Sequence, residues 1–411
     1  MGNNIKIVWI CHFSNAEVQT YLPLWKSIHE YASWIPNMIK GFECRNDIEL
    51  HVISPHGYLK KITSFELRNI KYNFVPVGVP IYRRHWPFFF RYDAMSNFAS
   101  FRRNAKSVIK QIKPDLVTLI GAENAYYSSA ILDLKSDYPV LVYIQGFVSQ
   151  YKERGKNILP LLSRIKNSQV LDKRIEVEQT ILKEFTHFCG EPDSSTYMTK
   201  YNPNHHFYRL YPPVNEECVI SSPTIEKTYD CIYFGKLTKI KGTEDFIKVI
   251  AELKKQKPDI KACIVGGGRQ APFSALAKEL NCLQNIEFTG FLKTQKELFA
   301  HVKASKVFLV PPHKERLSST IREAMYLKMP IVAYATGGIP YINESDENIY
   351  MVQTGDYKAM AEKTMLLLND ETTRNNLAEK AYKYAVNEYS LSANTKRLIS
   401  VYEEMLKKRE S

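Results

Sequence analysis

The chain has 411 residues, 45% of them hydrophobic and 24% charged, and a formal net charge of +13 at pH 7. This length and composition predict a folded protein of two domains and argue against disorder. The seven cysteines are scattered without a CxxC pair, which argues against a disulfide framework or a zinc site and predicts a reducing compartment. Without a signal peptide or an apolar run of about 18 residues, we expect a cytoplasmic protein. The positive charge has two interpretations, solvated helix faces or an anionic partner.

Short apolar runs alternate with longer helical patterns in the first half of the chain. Strands are predicted at 5–11, 49–54, 70–77, 115–121 and 139–144, and a helix over 94–113. This alternation predicts parallel sheets with helices on both faces. Segment 211–228 breaks the pattern with three prolines and polar residues, which is typical of an interdomain linker.

The same alternation returns after the linker. Strands are predicted at 229–235, 260–268, 285–290, 306–312 and 330–338, followed by helices to the C-terminus. We therefore predict two doubly wound, Rossmann-like α/β domains that face each other across a cleft, with ligands beyond the carboxyl ends of the strands. The predicted divisions are an N-terminal domain 1–212, a linker 213–228, a C-terminal domain 229–390, and a final helix 391–411 that packs back towards the N-terminal domain.

Two glycine-containing turns follow predicted strands of the second half. Gly235 precedes Lys236 and Lys241, and two lysines beside a helix N-terminus would neutralise a diphosphate, although surface lysines are also commonly only solvated. Gly266-Gly267-Gly268-Arg269 follows the strand ACIV. Such a run forms either a plain tight turn or an anion-binding nest of backbone amides.

Two further features follow later strands. Glu315 and Glu323 are eight positions apart, the first in a loop and the second inside a helix for which Ser318 or Ser319 is the expected N-cap. Carboxylates suit the vicinal hydroxyls of sugars because each accepts two strong hydrogen bonds. Gly337-Gly338 ends the predicted strand at 330–338, where backbone amides would hold a phosphate or a sugar oxygen.

As an ordered set over about 229–400, these features resemble the retaining GT-B glycosyltransferases often called family 4, or group 1. The residues that carry the resemblance are Gly235, Lys236, Lys241, Gly266, Gly290, Glu315, Glu323-Ala324-Met325 and Gly337-Gly338-Ile339-Pro340. The resemblance implies a GT-B fold, retention of anomeric configuration, a nucleotide-diphosphate sugar as co-substrate, and neither a bound metal nor another cofactor, because basic residues supply the electrostatic stabilisation.

The resemblance also implies roles for individual residues. Glu315 would contact the donor sugar, and Lys236 and Lys241 would hold the diphosphate and stabilise the leaving nucleotide; these three are the expected catalytic residues. Glu323 would contact the nucleotide ribose. The expected donor-binding residues are Gly235, Gly266, Gly267, Arg269, Ser319, Thr320, Glu323, Gly337 and Gly338.

The chain departs from the pattern of the family at several positions. The usual E-G-F-G is Glu315-Arg316-Leu317-Ser318, Lys328 replaces a common glycine, and Tyr341 stands where a glutamate often follows GG-x-P. Gln145-Gly146 replaces a histidine before glycine in the first half. A neutral amide hydrogen-bonds a hydroxyl but carries no charge, so Gln145 is a candidate sugar contact only.

The predicted function is transfer of a sugar to a saccharide or lipid-linked saccharide in surface polysaccharide or glycolipid synthesis. The alternatives are a sugar-phosphate synthase, a nucleotide-sugar hydrolase, or a non-catalytic nucleic-acid-binding protein; no nucleic-acid module is recognisable, so no nucleic acid is expected as a partner. Segment 82–113 combines aromatic and basic residues. It is either core with a solvated helix face or a peripheral contact with the inner face of the membrane.

Overall fold

A computed structural model describes residues 4–22, 34–57, 59–77, 94–151, 161–223 and 226–410. The chain divides into two compact units. The first comprises Met1–Pro212 together with Asn394–Ser411, and the second is Pro213–Ala393. Segment 213–228, which the sequence predicted as a linker, falls in the second unit and contains the short helix Glu216–Ser221.

The first unit is built on an eight-stranded sheet with the order β3-β4-β2-β1-β5-β6-β7-β8. All neighbouring strands pair in parallel except β3, which runs antiparallel to β4. The strands are β1 Ile5–Ile10, β2 Ile48–His56, β3 Thr63–Leu67, β4 Ile70–Pro76, β5 Leu116–Ile120, β6 Val140–Ile144, β7 His187–Gly190 and β8 His206–Arg209.

The second unit has a six-stranded, wholly parallel sheet with the order β11-β10-β9-β12-β13-β14. Counted from the first strand of the unit, this is the order 3-2-1-4-5-6 of the doubly wound nucleotide-binding fold. The strands are β9 Tyr229–Phe234, β10 Ala262–Val265, β11 Ile286–Gly290, β12 Ser305–Val310, β13 Ile331–Tyr334 and β14 Tyr350–Val352. The prediction of two parallel α/β sheets is confirmed.

Helices connect the strands of both units. They are α1 Ala16–Gln19, α2 Trp34–Ile39, α3 Ala99–Ile112, α4 Ala125–Ser128, α5 Leu161–Glu184, α6 Asp193–Met198, α7 Glu216–Ser221, α8 Thr243–Gln256, α9 Ala271–Glu279, α10 Gln295–Lys303, α11 Ser319–Tyr326, α12 Tyr357–Asn369, α13 Glu371–Tyr389 and α14 Leu391–Glu410. Short 3-10 turns lie at Ser129–Asp133, Val148–Tyr151, Lys239–Lys241, Leu283–Asn285 and Ile339–Asn343.

The C-terminal helix α14 belongs to the core of the first unit. Its buried apolar side chains pack in the same cluster as those of β1 and β2. The hydroxyl of Tyr402 accepts hydrogen bonds from Trp9 Nε1 at 2.8 Å and from Thr118 Oγ1 at 3.0 Å. These buried polar groups satisfy one another, so residues 393 and 284 positions apart are held together inside an apolar core.

The boundaries differ from the sequence predictions where local signals are weak. The helix predicted over 94–113 is α3, Ala99–Ile112. Lys113 caps its C-terminus with a φ of 52° directly before Pro114, because a residue before proline avoids the helical conformation. Strands β3, β7, β8 and β14 were not predicted. They are three to five residues long, too short for alternation to stand out.

Candidate functional site

The candidate site lies at the carboxyl edge of the second sheet. Strand β9 is flanked by β10 on one side and β12 on the other, so the chain leaves β9 and β12 in opposite directions. Crevices at such a reversal of strand order are where open α/β sheets bind ligands. The turns after β9, β10, β12 and β13 carry most of the residues that the sequence singled out.

Lys241 and Glu315 form an ion pair between the turn after β9 and the loop after β12. The Glu315 side chain is only 13% exposed and that of Lys241 is 39% exposed. The pair is therefore partly shielded from water, where a charge interaction is stronger than at an open surface. The structure thus brings together two residues that are 74 positions apart.

Two glycines let the backbone segments of this site approach closely. Gly242 has a φ of 81°, and a Cβ added there would lie 1.7 Å from the carbonyl oxygen of Pro311. Gly337 has a φ of 58°, and a Cβ there would lie 1.6 Å from the carbonyl oxygen of Glu315. Only glycine fits both the conformation and the space at these positions. Gly242 thus packs the Lys241 turn against the loop after β12, and Gly337 packs the turn after β13 against Glu315.

A buried aspartate fixes the same loop. Asp245 on α8 accepts a hydrogen bond from the Tyr334 hydroxyl at 3.1 Å, and its Oδ2 lies 2.7 Å from His313 Nε2. The backbone N–H of His313 also donates to the carbonyl of Ile240 at 2.9 Å. These contacts hold the loop at His313, two residues before Glu315, against α8 and the turn after β9, and they join α8 to β13. The sequence did not identify Asp245 as part of the site.

Next to the Lys241 turn lies a mainly apolar cavity of about 530 Å³. It brings together five of the residues predicted from the sequence, Gly235, Lys236, Gly266, Gly267 and Thr320. Its apolar lining includes Phe291, which is 77% exposed and lies beside Gly267. An exposed aromatic face beside an apolar cavity suits a flat ring. The sequence missed Phe291, because one phenylalanine after a strand is not distinctive.

Glu323 lies on α11, the helix whose first turn contributes Thr320 to the cavity. Gln295 lines the cavity and donates from Nε2 to Glu323 Oε1 at 3.1 Å. Burial of the carboxyl group raises the pKa of Glu323 to about 7, and the charge of Arg322 and the hydrogen bond from Gln295 act in the opposite direction. The sequence missed Gln295, although the capping box Thr294-x-x-Glu297 marks the start of its helix.

The other predicted residues are spread around the site. Arg269 lies exposed on the turn after β10, and Ser319 and Thr320 form the first turn of α11. Ser318 occupies the N-cap position, but its side chain makes no capping hydrogen bond and instead contacts Thr320 Oγ1 at 2.7 Å. Gly338 lies against the backbone of Leu317. Gln145 directly follows β6 in the first unit.

The membrane prediction is only partly covered by the structure. Residues 82–92, including the aromatic run, lie outside the described residues. On α3, Arg102 pairs with Asp133 through Nε at 2.8 Å, whereas Arg103 and Lys110 are exposed. Across the described ranges, no helix is long and apolar enough to span a bilayer, and no three His, Cys, Asp or Glu side chains cluster so as to hold a metal ion.

Known structures agree on the class of fold. Sucrose-phosphate synthase from Thermosynechococcus elongatus superposes with a TM-score of 0.70 at 14% identity and covers 98% of this chain and 99% of its own. HepE of Anabaena, solved in complex with UDP, superposes with a TM-score of 0.65 at 13% identity. The superposition covers 97% of this chain and 100% of the HepE chain. The chain has the GT-B fold of these proteins.

The sequence comparison finds a family match within the second unit. Residues 216–384 match the family described as glycosyl transferases group 1. Alpha-D-kanosaminyltransferase from Streptomyces kanamyceticus is 27% identical over 175 residues, which are 42% of this chain and 45% of that protein. The match therefore spans less than half the length of this relative. Over residues 216–384 the chain is similar to the group 1 glycosyltransferases, and the resemblance inferred from the sequence is confirmed.

Proposed function

We propose that the protein is a retaining glycosyltransferase that transfers a sugar from a nucleotide-diphosphate sugar. The observation that carries this proposal is that the carboxyl edge of the second sheet holds both the Lys241–Glu315 pair and an apolar cavity lined by Lys236 of the same turn as Lys241. A cation, a carboxylate and an apolar cavity at one edge match the three parts of such a donor, its diphosphate, its sugar and its base.

The arrangement of these residues indicates where each part of the donor would bind. The base would enter the apolar cavity against Phe291, and the ribose hydroxyls would meet Glu323. The diphosphate would lie at Lys236 and Lys241, with the sugar at Glu315. This order follows the chemistry of each group, because apolar walls accept a ring, carboxylates accept hydroxyl protons, and ammonium groups bind phosphate oxygens.

During transfer, the bond between the anomeric carbon and the diphosphate oxygen breaks, and the electron pair leaves with the nucleotide. The acceptor oxygen forms the new bond on the same face of the sugar and passes its proton to the departing phosphate oxygen. Negative charge develops on the leaving phosphate, where Lys236 and Lys241 would stabilise it. We propose that these lysines replace a divalent metal, so that transfer proceeds in the presence of EDTA.

The test is calorimetric binding of UDP, GDP and ADP in EDTA, with Lys241→Ala and a matched control, Lys239→Ala. Lys239 lies on the same 3-10 turn, but its side chain is 82% exposed and pairs with Glu244. We expect one nucleotide to bind the wild type and the control alike, and to bind Lys241→Ala about 10- to 100-fold more weakly, the loss of a charge-assisted hydrogen bond. Equal affinities for both variants, or no binding by the wild type, would contradict the proposal.

For the acceptor, we propose a saccharide or a lipid-linked saccharide of surface polysaccharide or glycolipid synthesis, reached at the inner face of the membrane. The support is the net charge of +13 and the exposed Arg103 and Lys110 of α3, since each cation near an anionic surface contributes about 1 kcal/mol. The fraction of protein that sediments with phosphatidylserine vesicles should fall when Arg103 and Lys110 are both changed to Glu. It should stay unchanged when the exposed Lys60 and Lys61 are both changed to Glu. Equal sedimentation of both double variants would favour a soluble acceptor.

A further inference from the structure

A chain of hydrogen bonds within the second unit leads to Glu323. Asn215 caps α7, and its Oδ1 accepts from the backbone N–H of Cys218 at 3.4 Å. Its Nδ2 donates to Gln295 Oε1 at 3.4 Å. Gln295 Nε2 then donates to Glu323 Oε1 at 3.1 Å. The segment before β9, the first turn of α10 and the middle of α11 are linked by these contacts.

The direction of each bond is fixed by the one before it. A helix cap must accept from a backbone N–H, so the oxygen of Asn215 faces α7, and its amide nitrogen donates both to Cys218 Sγ at 3.1 Å and to Gln295 Oε1. The oxygen of Gln295 must then face Asn215, which leaves its NH2 group for Glu323. An amide nitrogen donates to an ionised carboxylate, whereas an amide oxygen would repel it. The cap of α7 thereby determines that Glu323 meets a donor.

The charge of Arg322 favours the same ionised form of Glu323 as the hydrogen bond from Gln295. Arg322 on the same helix favours the ionised carboxylate through its positive charge, and Gln295 does so through its hydrogen bond, whereas burial favours the protonated form. Lys236 and Lys293 are the ionisable groups that line the cavity together with Gln295. The protonation state of Glu323 therefore depends on burial, on the charge of Arg322 and on the hydrogen bond that the uncharged Gln295 donates.

We propose that Gln295 and Asn215 are positioning residues that orient Glu323 and keep it ionised for the ribose hydroxyls of the donor. The proposal rests on the function proposed above, in which Glu323 contacts the nucleotide. An ionised carboxylate accepts hydrogen bonds from both vicinal hydroxyls, whereas a protonated one has a donor in place of one acceptor. Loss of Gln295 should then weaken nucleotide binding in a pH-dependent manner and leave the chemical step unchanged.

The first measurement is the pKa of Glu323 itself. It is obtained from a pH titration of the labelled carboxyl groups by carbon NMR, in which the Glu323 signal is assigned with the variant Glu323→Gln. In Gln295→Leu we expect this pKa to rise by about 1, as the loss of a hydrogen bond to the charged form predicts. The control is Gln256→Leu, the same substitution at an exposed helix position. An unchanged pKa in Gln295→Leu would overturn the proposal independently of any ligand.

The second measurement is nucleotide affinity between pH 6 and 9, with the nucleoside diphosphate that the wild type binds. A pKa of about 7 leaves half of Glu323 ionised at pH 7, and a rise of about 1 leaves about a tenth ionised. Gln295→Leu should thus bind about fivefold more weakly than wild type at pH 7 and less than about twofold more weakly at pH 9, with kcat unchanged. A loss of the same size at every pH would indicate a merely structural role and overturn the proposal.

A third variant removes the hydrogen bond from residue 215 to Gln295 and keeps the cap of α7. Serine caps a helix as well as asparagine but is too short to reach Gln295, so Asn215→Ser should keep its melting temperature and shift the affinity profile in the same direction as Gln295→Leu. Wild-type affinity at every pH in Asn215→Ser would remove Asn215 from the proposal. If the wild type binds the nucleotide and neither variant alters the profile, this inference fails alone; if the wild type binds no nucleotide, the proposed function fails and the inference with it.

Discussion

Replacement of Gly337 by alanine tests whether the turn after β13 holds Glu315 in place. The new Cβ would lie 1.6 Å from the carbonyl oxygen of Glu315, and side-chain carbons essentially never approach closer than 3.0 Å. The two segments must therefore separate by about 1.4 Å. A misplacement of about 1 Å near reacting atoms lowers turnover about 100-fold, and we expect a loss of that size.

Two costs contribute to the loss of stability. Alanine at a φ of 58° costs about 1 kcal/mol, and overpacking adds about 1–3 kcal/mol, so the free energy of unfolding should fall by about 2–4 kcal/mol. Gly355→Ala is the matched control, because Gly355 has a φ of 91° and no atom within 4 Å of its added Cβ. It should lose only about 1 kcal/mol and keep its turnover.

The assay combines urea denaturation of the three proteins with nucleotide release from the sugar donor that the wild type uses. Hydrogen exchange across 305–345 would show whether the opening is confined to the Glu315 loop. If Gly337→Ala matched Gly355→Ala in both stability and turnover, the inference that this glycine positions Glu315 would be wrong.

Four further predictions concern single side chains. Glu315→Gln should lower kcat about 100-fold with little change in nucleotide affinity, because the residue would contact the sugar and not the base; near wild-type turnover would remove its role. Lys241→Ala should also lower kcat, since the leaving phosphate loses a cation, and chelation by EDTA should leave wild-type turnover intact. Phe291→Ala should weaken nucleoside binding by about 1–3 kcal/mol of lost ring stacking and leave pyrophosphate binding unchanged, measured by calorimetry. Tyr402→Phe should lower the free energy of unfolding by about 1–3 kcal/mol, because the buried N–H of Trp9 loses its acceptor; an unchanged urea midpoint would contradict this.

The sequence by itself determined the class of fold and most of the turns that form the candidate site. Apolar runs in regular alternation with helical patterns require buried parallel strands, and this requirement is local in the chain. Glycines and charged residues directly after those runs must lie at one edge of the sheet, since parallel strands end on the same side. For this reason the sequence alone assigns Gly235, Gly266 and Glu315 to one edge.

Only the tertiary structure decided which side chains meet across that edge. The Lys241–Glu315 pair joins residues 74 positions apart, and Asn215 and Gln295 are separated by 80. No periodicity encodes such contacts, because they depend on strand order and on the direction in which each turn leaves the sheet. The burial that raises the pKa of Glu323 to about 7 likewise arises from packing of elements distant in sequence. Side-chain types and spacing therefore predicted which turns lie at the carboxyl edge of the second sheet, whereas the contacts between them required the folded sheet.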